Sequence, residues 1–244
     1  MKVVILAGGL GTRLSEETVI KPKPMVEIGG IPILIHIMKI YSYYGFNEFV
    51  ILLGYKGDLI KEYFNNYFLY KNNVTFNLRN NELIYHENNN EPWKVTLVDT
   101  GKETMTGGRI KQAKPYIDNA TFMLTYGDGV SDLNIKNLLN FHKKHKKILT
   151  MTSVQPDGRF GTFESNKNGK VTNFLEKPKG EGSWVNGGFF VCEPEIFKYI
   201  ENNSTSIFER RPMENLEKKN QLYSFRHNGF WKCMDTLRDK NELD

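Results

Sequence analysis

The chain has 244 residues, 39% of them hydrophobic, and 33 basic against 28 acidic side chains give a formal charge of +5. A chain of this length buries roughly three quarters of its unfolded surface without staples, and two cysteines, Cys192 and Cys233, cannot build a disulfide framework or a structural zinc site. No stretch approaches the roughly 20 apolar residues that cross a bilayer, and no run of like charges marks a nucleic-acid surface; a soluble cytoplasmic protein without nucleic-acid or membrane partners is expected.

The first element is a buried strand, Val3-Val4-Ile5-Leu6-Ala7, which Gly8, Gly9, Gly11 and Arg13 interrupt too soon for a signal peptide. A helix starting at Pro32 places Ile33, Leu34, Ile37, Met38, Tyr41 and Tyr44 at helical spacing and ends at Gly45. Phe49–Leu53 is a second buried strand, and Asp58 caps a helix that carries Leu59, Ile60, Tyr63, Phe64, Tyr67 and Phe68. This alternation predicts an α/β fold with a right-handed, mostly parallel sheet. Alternating Val74, Phe76 and Leu78, a turn at Asn80-Asn81, then Leu83 and Tyr85 predict a β-hairpin inserted at about 70–98. After the Asn- and Glu-rich segment 87–91, further strands are predicted at Lys94–Asp99, Thr121–Tyr126, Ile148–Val154, Gly161–Glu164, Val171–Leu175 and Val185–Val191. Asp132 is read as the cap of a helix to His145, whose basic end, Lys143 to Lys147, suits the negative pole of the helix dipole. His142 and His145 share a face of that helix and are expected to face solvent rather than bind metal. No repeat or long linker divides the chain, so residues 1–244 are read as one domain.

The loop Gly8-Gly9-Leu10-Gly11-Thr12-Arg13 lets backbone N–H groups approach a phosphate. It is not a P-loop, which needs a lysine after its last glycine. Leu14 stands where a dinucleotide fingerprint starting at Gly9 needs its third glycine, which argues against a nicotinamide-dependent oxidoreductase. Arg13 offers a planar fork for phosphate oxygens, and Lys23 a compact charge, stiffened between Pro22 and Pro24.

Taken together, the string LAGGLGTR…KPKPM resembles the signature of the sugar-1-phosphate nucleotidyltransferases. KPKPMVEIGG, EPWKVTLVDTG, TMTGGR, TYGDGV, EKPKG, NGGFF and FWKCMDTLRDK narrow the resemblance to the glucose-1-phosphate cytidylyltransferase family, across nearly the whole chain. The resemblance implies a Rossmann-like sheet of the nucleotidyltransferase type, with a sugar-binding part at about 150–235. It also implies cytidylyl transfer from CTP to α-D-glucose 1-phosphate, a homohexamer, and a product used in surface polysaccharide synthesis. It ends its family's pattern early, at Asp244, so a shortened C-terminal contact is expected.

The implied roles follow residue by residue. Leu6, Ala7, Gly8, Gly9, Leu10, Gly11, Thr12, Arg13, Lys23, Thr104, Arg109 and Gly127 bind the nucleotide; Arg13, Lys23 and Asp128 serve catalysis. Asp128 and Asp235 hold one Mg2+, which needs only one or two carboxylates. Glu176 takes sugar hydroxyls, Lys177 and Lys179 the sugar phosphate, and Gly161, Asn186 and Gly187 pack against the glucose. Cytosine has acceptors at N3 and O2 and a donor at N4, so its pocket wants a fixed donor, which Arg109 or backbone N–H groups of 104–109 can supply. The attacking phosphate oxygen is already ionised at neutral pH, so the reaction needs alignment and charge shielding rather than a general base.

Overall fold

In the computed structural model, which describes residues 1–86, 90–158, 161–179 and 183–244, the predicted apolar runs become the strands of one central sheet. Residues 87–89 of the Asn- and Glu-rich segment, and Gly180 at the end of the EKPKG motif, lie outside the described residues. The strands are β1 (Lys2–Ala7), β2 (Glu48–Leu53), β3 (Lys94–Asp99), β4 (Phe122–Tyr126), β5 (Leu149–Val154), β6 (Val185–Cys192) and β7 (Leu222–Arg226). Their spatial order is β7-β5-β6-β4-β1-β2-β3. Strand β1 pairs in parallel with β2 and β4, β2 with β3, and β5 with β7, whereas β6 runs antiparallel to β4 and β5. The mostly parallel α/β sheet expected from the alternation is present.

Both faces are covered, which is why these strands read as continuous apolar runs. On one face Val3 and Ile5 pack with Leu34, Ile37 and Met38 of helix α1 (Ile33–Tyr43). On the other, Val4 and Leu52 pack with Ile110, Phe208 and Leu216. Each such side chain, fully buried, contributes about 1.5–3 kcal/mol. The longer of the other helices are α2 (Gly57–Asn65), α3 (Thr106–Ala113), α4 (Ile135–His145), α5 (Arg211–Lys218) and α6 (Leu237–Leu243).

Three expectations are corrected. Asp58 lies in the first turn of α2, where its charge suits the dipole, but Lys56 holds the cap position and no side chain bonds there. Asn134 caps α4, accepting from the Asn137 N–H at 3.0 Å, while Asp132 pairs with His227 at 2.9 Å. His142 and His145 turn inward: His142 is fully buried, and both rings bond to Thr150 of β5 at 2.7 Å. The helical spacing placed the two rings on one face, and that face packs on the sheet.

Of the ribbons outside the main sheet, two are largely exposed. The expected hairpin pairs Val74–Asn77 with Glu82–Tyr85 around Asn81 in the left-handed region, and leaves Phe76 and Leu78 exposed. The second pairs Thr162–Ser165 with Val171–Leu175, both strands largely exposed.

Candidate functional site

Strands β1, β2, β3 and β4 are parallel and end at one edge of the sheet, where open α/β sheets bind ligands. The glycine loop leaves β1 there. Gly11 has φ +65°, and a Cβ on it would meet Thr18 Cγ2 at 2.7 Å. Leu14 follows as a fully buried anchor, the physical reason a third dinucleotide-type glycine is missing.

Arg109 arrives from α3 and lies under this loop, 4% exposed. Its guanidinium donates to the carbonyls of Leu53 (2.9 Å), Gly101 (2.8 Å), Gly8 (2.9 Å) and Lys102 (3.1 Å), and to Thr100 Oγ1 (2.6 Å). A Cβ at Gly8 would stand 2.2 Å from its Nη1, so Gly8 is glycine to seat this arginine as well as to free the loop. Burial lowers the Arg109 pKa, against the opposing field of Asp99 and Glu103. The guanidinium of this expected nucleotide residue is committed to protein acceptors and holds the loop from beneath. Thr104 sits beside it, next to Gly101 and Gly108.

The charged centre forms where the two distant aspartates meet. Asp128 follows β4 after Gly127, whose Cβ would lie 2.6 Å from the Leu6 carbonyl, so only glycine lets the turn pass this close to β1. Gly129–Ser131 pairs antiparallel with Trp231–Cys233, and the Met234 N–H donates to the Asp128 carbonyl at 2.9 Å. That ribbon delivers Asp235 beside Asp128. Thr236, not Asp235, caps α6, through a capping box with Asp239. Asp235 is therefore free of the helix cap and faces the charged centre.

Lys23, its side chain only 10% exposed, donates to Asp128 Oδ2 and Asp235 Oδ1, each at 2.7 Å. Arg13 pairs with the other oxygen of Asp235 at 2.6 Å. Burial pulls the Lys23 pKa down, but Asp128 and Asp235 outweigh it, and the net shift is upward. Burial pushes Asp235 up, yet bonding to Lys23 and the nearby Arg13 hold its carboxyl below the usual range. Both groups stay charged at neutral pH. Cys233 lies between the aspartates, its thiol raised by burial and by Asp128. Asp128, Cys233 and Asp235 place one donor atom each within 4.8 Å of one another. Two carboxylates already converging on one ammonium fit a hard divalent cation, while the protonated thiol is a poor ligand for it.

The expected sugar residues fall in two places. Gly161 abuts Glu176, whose Oε2 lies 2.9 Å from where a Gly161 Cβ would be. Glu176 and Lys177 form a loose pair at 3.9 Å, their side chains 64% and 62% exposed. Lys179 is exposed on the same segment. Asn186 and Gly187 sit instead on β6: Gly187 packs on Val154 and accepts from Trp231 Nε1 at 2.8 Å, and Asn186 donates to the Tyr126 hydroxyl at 3.0 Å. Sequence reasoning missed Cys233, Tyr126 and Thr106, which neighbour expected site residues, and Glu209, which bonds to Tyr126 and Thr106. For Tyr126 and Cys233 the signal was adjacency to Gly127-Asp128 and Asp235; for Glu209 no local signal exists.

A family model described as Nucleotidyl transferase matches residues 2–238. The glucose-1-phosphate cytidylyltransferases of Salmonella typhimurium and Salmonella typhi are each 55% identical over 245 aligned residues, covering 100% of this chain and 95% of theirs. Among solved structures, HddC from Yersinia pseudotuberculosis is similar at TM-score 0.70 and 25% identity, over 99% of this chain and 97% of that one.

Proposed function

This chain belongs to the nucleotidyl transferase family, and we propose that it transfers a cytidylyl group from CTP to α-D-glucose 1-phosphate, giving CDP-glucose and pyrophosphate. The observation that carries the reading is the cluster of Arg13, Lys23, Asp128 and Asp235 beside a glycine loop at the carboxyl ends of parallel strands. Such a site is built for polyanions. The relatives at 55% identity support the choice of cytidine and glucose.

The chemistry asks two negative groups to approach. The glucose 1-phosphate oxygen attacks the α-phosphorus of CTP as pyrophosphate departs, and no side chain need remove a proton. The loop from Leu6 to Thr12, with Gly127, receives the nucleotide, and Arg13 and Lys23 offset the charge that the two phosphates share. Asp128 and Asp235 hold a divalent metal, Mg2+, which when bound supplies charge stabilisation to the triphosphate. Arg109 and Thr104 shape the base pocket, with Arg109 holding Gly8 and the 100–102 turn in place. On the sugar side, Glu176, Asn186, Gly161 and Gly187 face glucose, and Lys177 and Lys179 its phosphate.

Residues 1–244 act as a single nucleotidyltransferase unit in this reading. The exposed Phe76, Leu83, Ile84 and Tyr85 of the inserted hairpin support a homo-oligomer, a hexamer by resemblance. A hydrodynamic mass of one chain at micromolar concentration would overturn that. Among the described residues no helix is long and apolar enough to cross a membrane; the cytoplasm, where CTP is made, is the proposed location. The reaction is tested by incubating the protein and Mg2+ with glucose 1-phosphate and each NTP in turn. Pyrophosphate release specific to CTP is expected, and release with another NTP alone would overturn the base assignment.

A further inference from the structure

A hydrogen-bonded chain crosses the floor between the nucleotide and sugar sides. Glu209 accepts from the Tyr126 hydroxyl through Oε1 and from the Thr106 hydroxyl through Oε2, each at 2.6 Å. Thr106 opens α3, the helix that carries Arg109, and itself accepts from the Phe208 N–H at 2.9 Å. On the other side, the Tyr126 oxygen accepts from Asn186 Nδ2 at 3.0 Å, and Asn186 Oδ1 accepts from the Gly188 N–H at 2.9 Å. Gly188 has φ +79°, and a Cβ there would sit 2.5 Å from the Tyr126 ring, so the ring packs directly on the sugar-side strand.

Groups that cannot change role fix the bond directions at both ends of this chain: the Glu209 carboxylate at one and the Gly188 N–H at the other. A carboxylate can only accept, so the Tyr126 proton points to Glu209. The phenol stays protonated because burial, and then the charge of Glu209, raise its pKa. Its oxygen is then left as an acceptor for Asn186 Nδ2, while the Gly188 N–H, which can only donate, takes the amide oxygen. We propose that Glu209 is a positioning residue of the sugar site: it holds the Tyr126 oxygen as the acceptor for the Asn186 amide, which together with the Gly188 N–H fixes that amide and so the hydroxyl pattern the site accepts. Without Glu209, the phenol proton is free to swing toward the Asn186 nitrogen, and the amide keeps only its bond to the Gly188 N–H. This inference rests on the reading of Asn186 as a sugar contact of the proposed transferase.

The test is a kinetic series with CTP, glucose 1-phosphate and Mg2+. Losing one orienting hydrogen bond is expected to raise the glucose 1-phosphate KM of Glu209→Ala about tenfold, with the CTP KM and kcat within about twofold of wild type. Discrimination against galactose 1-phosphate, which differs at one hydroxyl, falls with it. Glu209→Gln keeps an oxygen to accept from Tyr126 and restores the KM. Tyr126→Phe reproduces the Glu209→Ala defect, and the double variant is no worse than either single one. An unchanged sugar-phosphate KM, an equal rise in the CTP KM, or additive losses would each overturn the assignment. Turnover by the wild-type protein is read separately, because its absence condemns the parent reaction. In that event the Asn186 side-chain amide signals of the 15N-labelled protein still decide the orientation: they move in Glu209→Ala, hold in Glu209→Gln, and overturn the assignment if they do neither.

Discussion

The two halves of the proposed active site are built on opposite plans. On the nucleotide side, Lys23 is buried and bonded to two carboxylates, Arg13 to one, and Arg109, on helix α3, to five acceptors. On the ribbon of the sugar side, Glu176 and Lys177 are mostly exposed and share one loose pair. The difference matches the work proposed for each. Two phosphates repel, so the charges that offset them must be fixed before the substrates meet, where a low dielectric magnifies them. A neutral sugar ring needs donors and acceptors that are not already committed to the protein.

The largest expected effect is on the committed side. Lys23→Ala should lower kcat/KM about a thousandfold, the upper end for losing one preorganised charge. It also leaves Asp128 and Asp235 facing each other without their shared ammonium, so the melting temperature should fall, and Mg2+ should raise it more in the variant than in wild type. Equal stabilisation of both proteins by Mg2+ would show that the aspartates are not a metal pair.

Arg109 tests whether the nucleotide loop is held from below. Arg109→Ala strips partners from buried carbonyls at about 1–3 kcal/mol each. Its CTP KM should rise by about tenfold or more, with a loss of stability and a weaker preference for CTP over UTP. Gly8→Ala should do the same, since its Cβ would occupy the guanidinium's place. An unchanged CTP KM and base preference in both would remove Arg109 from nucleotide binding.

The sugar side should behave differently. Glu176→Ala is expected to raise the glucose 1-phosphate KM about tenfold while the melting temperature holds within about 1 °C, because an exposed pair contributes little stability. A melting loss as large as that of Lys23→Ala would erase the contrast between the halves. The same contrast governs what the sequence disclosed. Strand β1 and its glycine loop were legible because apolar run and loop are local signals. The meeting of Asp128 and Asp235 was not, since they lie half a chain apart and only the resemblance joined them. Helix α3 was hidden by Gly107 and Gly108, poor helix residues. They are kept because Cβ atoms there would strike Ser206 at 2.6 Å and the Asn203 carbonyl at 2.7 Å. Glu209 was invisible because its role exists only through Tyr126 and Thr106, two partners on other elements.

The smallest expected effect belongs to the scaffold the two halves share. Lys147 N–H donates to His145 Nδ1, so His145 carries its proton on Nε2 and donates to Thr150; the Thr150 hydroxyl then donates to His142 Nδ1, and His142 Nε2 donates to Glu193. Protonating either ring sets two donors against each other. Burial lowers both pKa values below 6.5, outweighing the upward pull of Glu193 on His142 and joined by neighbouring positive charge at His145. The unfolded chain therefore binds more protons than the folded one as pH falls through 6.5 toward the folded pKa values. Stability should be complete above about pH 7.5 and decline below 6.5, by at most about 1.4 kcal/mol per histidine per pH unit. Lys23 is shifted upward and Asp235 downward, so neither changes charge in this window. Urea midpoints between pH 7.5 and 5.5 should fall in wild type, and fall less in His145→Gln, while the ratio of the CTP and glucose 1-phosphate KM values stays level. A ratio that moves with pH would mean that acid reaches one half of the site directly.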